Sequence, residues 1–97
     1  MATYVILSNF TDQGARTIKD TVTRAEAAQK VAKEFGVTFK ALYWTQGQYD
    51  LVAVTEGPDE QAAAALSLMT ASLGNVRSQT LRAFDATEMK AIIAKMK

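Results

Sequence analysis

The residues best suited to chemistry are clustered in one short segment, Tyr43-Trp44-Thr45-Gln46-Gly47-Gln48-Tyr49-Asp50. Aromatic side chains beside a carboxylate are typical of a ligand-binding rim, in which Asp50 would act as a hydrogen-bond acceptor or a general base. The same residues also suit a tight hairpin, with aromatic side chains paired across the strands and Asp50 bonded to amides of the turn. Both interpretations stay open from the sequence.

A second group of polar side chains follows later in the chain. Its members are Arg77, Ser78, Gln79, Thr80 and Arg82. Arginine and hydroxyl side chains of this kind bind carboxylates or phosphates. Polar residues also protect an exposed edge strand from pairing with other chains. The segment therefore predicts either part of a binding site or a protected sheet edge.

The composition excludes several kinds of site. The 97 residues include neither cysteine nor histidine, which rules out disulfides, thiolate nucleophiles, thiolate zinc sites and a Ser-His-Asp triad. The aspartates show no calcium-loop spacing, so we expect no metal and no cofactor. Acid–base chemistry would depend on carboxylates, lysines and tyrosines. A net charge of +1 is too small for a nucleic-acid-binding domain, and no nucleic-acid partner is expected.

The length and the hydropathy pattern indicate one domain, residues 1–97. The apolar run at the N-terminus is short and has no preceding basic residue, unlike a signal peptide. No window reaches the ~18–20 apolar residues that span a bilayer. We therefore expect a cytoplasmic protein without membrane contact.

Hydrophobic periodicity predicts four strands and three helices. The strands are residues 3–10, 37–46, 49–55 and 75–84, and the helices are residues 23–35, 60–73 and 85–96. Capping boxes of Thr23 with Glu26 and of Asp85 with Glu88 are expected to begin the first and last helices. The first helix is one-sided, with alanines on its inner face and Arg24 on the solvent side.

The two middle strands are separated only by Gly47-Gln48, which suits a two-residue type II′ turn. In that register Trp44 pairs with Leu51. The hairpin then has two apolar faces, one with Leu42, Trp44, Leu51 and Ala53, the other with Phe39, Tyr43, Val52 and Val54.

The element order β-α-β-β-α-β with a C-terminal helix predicts an α+β, ferredoxin-like split βαβ fold, in which two helices cover one face of a four-stranded antiparallel sheet. The other face would leave a large apolar patch in water. A second copy packed sheet against sheet would cover it and form a dimeric α+β barrel. We therefore expect a homo-oligomer, a dimer or higher, unless the C-terminal helix folds across that face.

Nearly the whole chain resembles the GYD-domain family of small bacterial and archaeal proteins, named after a Gly-Tyr-Asp motif. The residues that carry the likeness are Tyr4 to Phe10, Thr11, Gln13-Gly14, Ile18-Lys19-Asp20, Arg24-Ala25-Glu26, Tyr43-Trp44-Thr45, Leu73 to Arg77 and Thr80 to Phe84. The naming motif is spaced here, as Gly47-Gln48-Tyr49-Asp50. The resemblance implies a dimeric α+β barrel without an established function.

A weaker likeness, to the effector-binding domain of leucine-responsive regulators, rests on Thr45 to Val54 and on Val76 to Thr80. In those regulators the Gly-x-Tyr-Asp hairpin and a threonine of the fourth strand lie near a small-molecule site between subunits. By position, the likeness implies Gly47, Tyr49, Asp50 and Thr80 as ligand-binding residues. The regulators' DNA-binding helix-turn-helix has no counterpart here, so direct transcriptional control is not expected.

These observations predict a non-catalytic small-molecule-binding domain with a sensory or regulatory role. Its ligand would lie at a subunit interface near the hairpin, held by Trp44, Gly47, Tyr49, Asp50 and Thr80. An alternative is a cofactor-independent dimeric-barrel enzyme, a monooxygenase or isomerase acting on an aromatic or quinone-like substrate, with Asp50 or a tyrosine transferring the proton. A third hypothesis is a purely structural assembly protein.

Overall fold

The fold is α+β, and a computed structural model describes residues 1–96 of it. The strands are β1 (Ala2–Phe10), β2 (Thr38–Trp44), β3 (Leu51–Gly57) and β4 (Val76–Ala83). The helices are α1 (Asp12–Arg16), α2 (Thr21–Glu34), α3 (Glu60–Ser72) and α4 (Ala86–Ala94), with a 3-10 turn at Ile18–Asp20. The sheet is antiparallel with strand order β2-β3-β1-β4, which confirms the ferredoxin-like arrangement.

Alternate residues of β3 are buried, and they identify the sheet face that lies under α2 and α3. Six hydrophobic residues are buried, namely Tyr4, Ala32, Val37, Leu51, Ala53 and Leu66. Ala32, Val37 and Leu66 form one cluster, with Ile6, Phe35, Phe39 and Ala62 packed against it. The core is small because alanines form much of the inner stripe of both helices, and short side chains fill little volume between a helix and a sheet.

The opposite sheet face, called the open face below, is apolar and far less buried. Its apolar side chains are Val5, Leu7, Tyr43, Val52, Val54 and Leu81. The four aliphatic side chains on β1 and β3 are half-buried, whereas Tyr43 is 65% and Leu81 41% exposed. An apolar surface thus runs across all four strands, as the residue alternation predicts.

The register of β2 and β3 is the predicted one, with Trp44 opposite Leu51, but the two-residue turn is wrong. The strands stop at these two residues, and residues 45–50 form a longer loop. The Thr45 hydroxyl donates to the carbonyl oxygen of Tyr49 at 2.6 Å. The Asp50 N–H donates to the carbonyl oxygen of Ser8 on β1 at 2.9 Å. These bonds tie the end of the loop to itself and to β1, so Tyr49 lies in the loop and not in the predicted strand 49–55.

A β-bulge corrects the predicted position of Phe39. Phe39 lies opposite Thr55 while Ala41 lies opposite Val54, so Lys40 is an extra residue on β2. The extra residue interrupts the alternation of side chains between the two faces. Phe39 therefore packs against the core under the helices and does not share a face with Tyr43.

One of the two predicted capping boxes is confirmed and the other is wrong. The capping box of Asp85 and Glu88 forms with both bonds, at 2.8 and 3.1 Å. The Thr23–Glu26 box is wrong, since α2 begins at Thr21 and Thr23 lies within its first turn. The preceding 3-10 turn already leaves Thr21 in a helical conformation, so the helix needs no new start at Thr23.

Helix α4 projects from the end of β4 as an arm. All its residues are exposed except Glu88, which is half-buried. Glu88 pairs with Arg82 at 3.2 Å, and the Arg82 guanidinium lies over the Phe84 ring, 4.5 Å from its centroid. These contacts anchor the start of the arm, while the apolar side chains of Ile92 and Ile93 face solvent. Within residues 1–96 no helix is long and apolar enough to cross a membrane.

Candidate functional site

Asp50 anchors the loop between β2 and β3. Its carboxylate Oδ2 accepts a hydrogen bond from the backbone N–H of Phe10 at 2.9 Å. Together with the bond from its own N–H to Ser8, this fixes Asp50 at the C-terminal end of β1. The carboxylate thus bonds a backbone amide, as the hairpin interpretation expects, but the amide belongs to β1 and not to the turn.

Tyr49 and Gly47 occupy the exposed side of the same loop. The Tyr49 hydroxyl donates to Gln79 Oε1 on β4 at 3.2 Å, which places the ring at the rim of the open face. Gly47 has a φ of +134° at the tip, and a Cβ added there would meet no atom within 4 Å. The loop tip is therefore open to an approaching molecule.

Trp44 and Thr80 lie on the helix face at opposite edges of the sheet. Trp44 Nε1 donates to Thr21 Oγ1 of α2 at 3.0 Å, and Thr80 Oγ1 bonds Ser67 Oγ of α3 at 3.0 Å. Each bond ties one helix to an outer strand. The protomer therefore places the five predicted ligand-binding residues on different surfaces and does not gather them in one pocket.

A cleft of about 420 Å³ lies between the helix face of the sheet, α2 and α3. Its walls are almost entirely apolar, with Ala28, Val31, Phe39, Leu42, Leu51 and Leu66 among them. The volume is within the roughly 300–1,000 Å³ of small-molecule sites. Trp44 and Thr80 each bond a residue of this lining, Thr21 and Ser67, without lining it themselves.

Arg24 is the one charged side chain among the described residues that line the cleft. Its guanidinium donates to Thr17 O at 2.8 Å, Thr17 Oγ1 at 2.9 Å and Gly14 O at 3.3 Å. It forms no ion pair with any residue in the range 1–96. The sequence interpretation placed Arg24 in solvent, which is wrong. The available signal was a lone arginine beside the alanines of the inner stripe.

A clamp of two short segments closes one edge of the cleft, where Leu73 and Asn75 line it. The Thr11 N–H donates to Asn75 O at 3.1 Å, and Gln13 Nε2 donates to Leu73 O at 3.1 Å and to Asn75 Oδ1 at 3.0 Å. Gly14 is buried here, and only glycine fits because an added Cβ would collide with the Asn75 carbonyl oxygen. These residues carried the family resemblance, and the structure shows that they hold α1 against the start of β4.

No three acidic side chains in the described part of the chain are close enough together to hold a metal ion. Three apolar features of this protomer are available to a partner, namely the apolar cleft, the open face and the arm α4.

The fold and these surfaces define a small α+β protein with three uncovered apolar surfaces, which are the cleft, the open face and the stripe on α4. The sequence model of the GYD domain matches residues 4–93, and the chain belongs to that family. A relative from Thermus thermophilus, the glutamine synthetase and cystathionine beta-lyase binding protein, is 37% identical over 92 residues, covering 94% of this chain and 97% of the relative. The crystal structure of TTHA0845 from Thermus thermophilus is similar with a TM-score of 0.58 and 26% identity, covering 89% of this chain and 96% of that chain. The predicted membership of the GYD-domain family is confirmed.

Proposed function

We propose that the protein is a non-catalytic, homo-oligomeric binding protein that docks on a metabolic enzyme. The Thermus relative is named for binding glutamine synthetase and cystathionine beta-lyase, and it matches this chain over almost the full length of both. An enzyme of that kind is the partner that the relationship supports.

The observation that carries the proposal is the open face. Four strands at about 4.8 Å spacing, each about seven residues long at about 3.3 Å per residue, give the whole face an area of roughly 440 Å², part of which belongs to polar side chains such as Glu56 and Gln79. Contiguous apolar patches of roughly 300–600 Å² are often interaction sites on soluble proteins. We assign this face to a second copy of the chain, packed sheet against sheet.

Helix α4 supplies a second surface for the enzyme partner. Its exposed residues Met89, Ile92 and Ile93 follow helical spacing and form one apolar stripe. Amphipathic helices of this type bind by laying the stripe into a groove of the partner. The arm projects from the edge strand β4, so it stays accessible when the open face is covered.

The test is a binding titration against the immobilised protein. It uses purified glutamine synthetase and cystathionine beta-lyase from the organism that encodes this protein. Saturable binding of at least one enzyme is expected. The double variant Ile92→Ser/Ile93→Ser should lose that binding, whereas Leu68→Ser, on the exposed surface of α3, should keep it. Failure of both enzymes to bind the unmodified protein would contradict the proposal.

Small-molecule binding near the Gly47–Asp50 hairpin is a second candidate function, and it needs a second copy to complete the site. The observation that favours it is the position of Tyr49, whose hydroxyl reaches Gln79 at the rim of the open face. A ligand held there between two copies would strengthen the dimer. Thermal unfolding against amino acids, nucleotides, quinones and aromatic acids tests this, because a ligand at ~100 times its Kd adds about 2.7 kcal/mol.

The geometry supports a structural role of Asp50 better than proton transfer. Its carboxylate bonds the backbone of β1 and is not part of the cleft lining. A general base must reach a substrate proton in a productive pose. The enzyme hypothesis therefore has less support than the binding hypothesis. The third hypothesis, a purely structural assembly protein, leaves the cleft without a function.

A further inference from the structure

We propose that the cleft between α2, α3 and the sheet binds a small amphiphilic monoanion, a medium-chain or aromatic carboxylate. The cleft is a different surface from the open face and from α4, so this inference stands independently of the proposed function.

The apolar lining of the cleft, and the short side chains that leave space inside it, indicate a ligand with an apolar body. Helix α2 contributes Ala25, Ala27 and Ala28, whose short side chains leave space above Phe39 and Leu42 of β2. Ordered water needs two to four polar partners, and the polar residues of the lining present little polar surface to the cleft. An apolar ligand would remove from water the apolar surface that the chain's own side chains leave uncovered.

The size of the cleft limits the ligand. Its volume of about 420 Å³ equals roughly 14 water molecules at about 30 Å³ each. That space accommodates a chain of about eight carbons or a bicyclic ring.

The single negative charge of the ligand is indicated by Arg24. Its three hydrogen bonds all go to neutral oxygens, of Thr17 and Gly14. A guanidinium has five N–H donors, so two are left for a ligand. The other polar residues of the lining are neutral, including Ser8 and Ser78, whose hydroxyls bond each other at 2.8 Å. A half-buried guanidinium that forms no ion pair within residues 1–96 favours one carboxylate, which arginine can hold with two parallel bonds.

Calorimetric titration with octanoate and with octanamide, its uncharged analogue, tests the charge. Octanoate should bind more tightly than octanamide. Arg24→Gln should weaken octanoate binding about tenfold or more, the scale of one charge-assisted hydrogen bond, and leave octanamide unaffected. Arg24→Lys should keep most of the octanoate affinity, and Lys30→Gln, an exposed charge on the same helix, should keep all of it. Equal affinity for the two compounds, or octanoate binding that is insensitive to Arg24→Gln, would overturn the inference.

The position of the ligand is tested by filling the cleft. Ala28→Phe should abolish binding of both compounds, whereas Ala64→Phe, on the exposed side of α3, should not. Circular dichroism establishes that both variants fold, and amide chemical shifts of the unmodified protein give the site without any substitution. Shifts at Ala28, Val31 and Leu66 are expected. Chemical-shift changes confined to the open face or α4, or no binding of octanoate at all, would contradict the cleft as the binding site. Sedimentation of the same samples tests the proposed dimer separately.

Discussion

The Asp50 carboxylate accepts a hydrogen bond at 2.9 Å from the N–H of Phe10, 40 positions earlier in the chain. The bond joins the loop after β2 to the last residue of β1. The aspartate of the Gly-x-Tyr-Asp segment is therefore an anchor, and the residues before it are held at the edge of the open face.

Asp50→Ala should lower the free energy of unfolding by about 1–3 kcal/mol, because the Phe10 N–H loses its acceptor. For a domain of this size each kcal/mol lowers the melting temperature by roughly 4–8 °C. Asp50→Asn retains an acceptor oxygen and should cost less. Glu26→Gln, an exposed acidic residue of α2, serves as the control and should change the midpoint little. An Asp50→Ala protein with unchanged stability would show that the bond does not anchor the loop.

Gly14→Ala should destabilise the protein by about 1–3 kcal/mol, since the added Cβ would collide with the carbonyl oxygen of Asn75 and force α1 away from β4. The neighbouring exposed position, Ala15→Ser, is the matched control. Urea unfolding monitored by circular dichroism measures both. Equal urea midpoints for Gly14→Ala and Ala15→Ser would mean that α1 can move away from β4 without a loss of stability.

Thr21→Val should cost about 0.5–1.5 kcal/mol by removing the acceptor of the Trp44 indole N–H. Thr23→Val, two residues along the same helix and exposed, keeps the bond and controls for the helix propensity of valine. The single tryptophan reports the change directly, because its fluorescence depends on the contact with α2. Identical midpoints and spectra for the two variants would contradict this role of Trp44.

Ile92→Ser/Ile93→Ser should leave the unfolding free energy of the isolated protomer within about 0.5 kcal/mol, because both side chains already face solvent. Unfolding at low protein concentration measures this. A loss of several kcal/mol there would mean that α4 packs on its own subunit.

The sequence predicts the element order well because hydrophobic period and helix-end signals are local. The capping box of Asp85 and Glu88 needs only residues three apart, and it forms as predicted. The predicted face of Phe39 is wrong because residues 41–44 are all apolar, so no polar residue marks the change of face at the bulge.

The predicted solvent position of Arg24 is wrong although a local signal exists, because Arg24 stands four residues before Ala28 and seven before Val31, spacings that share one face of a helix. That this face lines an open cleft is a tertiary property, since it depends on how far the two helices stand apart.

The candidate site was harder to predict than the fold. Trp44 is predicted to bind a ligand from its place among the aromatic residues of the hairpin, and Thr80 from the resemblance to leucine-responsive regulators. Each instead bonds a helix hydroxyl, of Thr21 and Ser67 respectively, and lies outside the cleft lining. The cleft itself is lined by alanines and aliphatic residues, whose types do not distinguish an open site from a filled core. Whether the hairpin residues also bind a ligand between subunits stays a prediction.

The central claim is that the open face joins two copies, and sedimentation velocity of the unmodified protein beside Val54→Lys tests it most directly. Val54 lies in the middle of that face, opposite Val5 of β1 and Ala41 of β2. A buried lysine at a sheet-to-sheet contact would be unpaired and costly. The account predicts a dimer or larger species for the unmodified protein and for the control Leu68→Lys, and a folded monomer for Val54→Lys. An unmodified protein that sediments as a monomer at every concentration, or a Val54→Lys variant that assembles equally well, would contradict it.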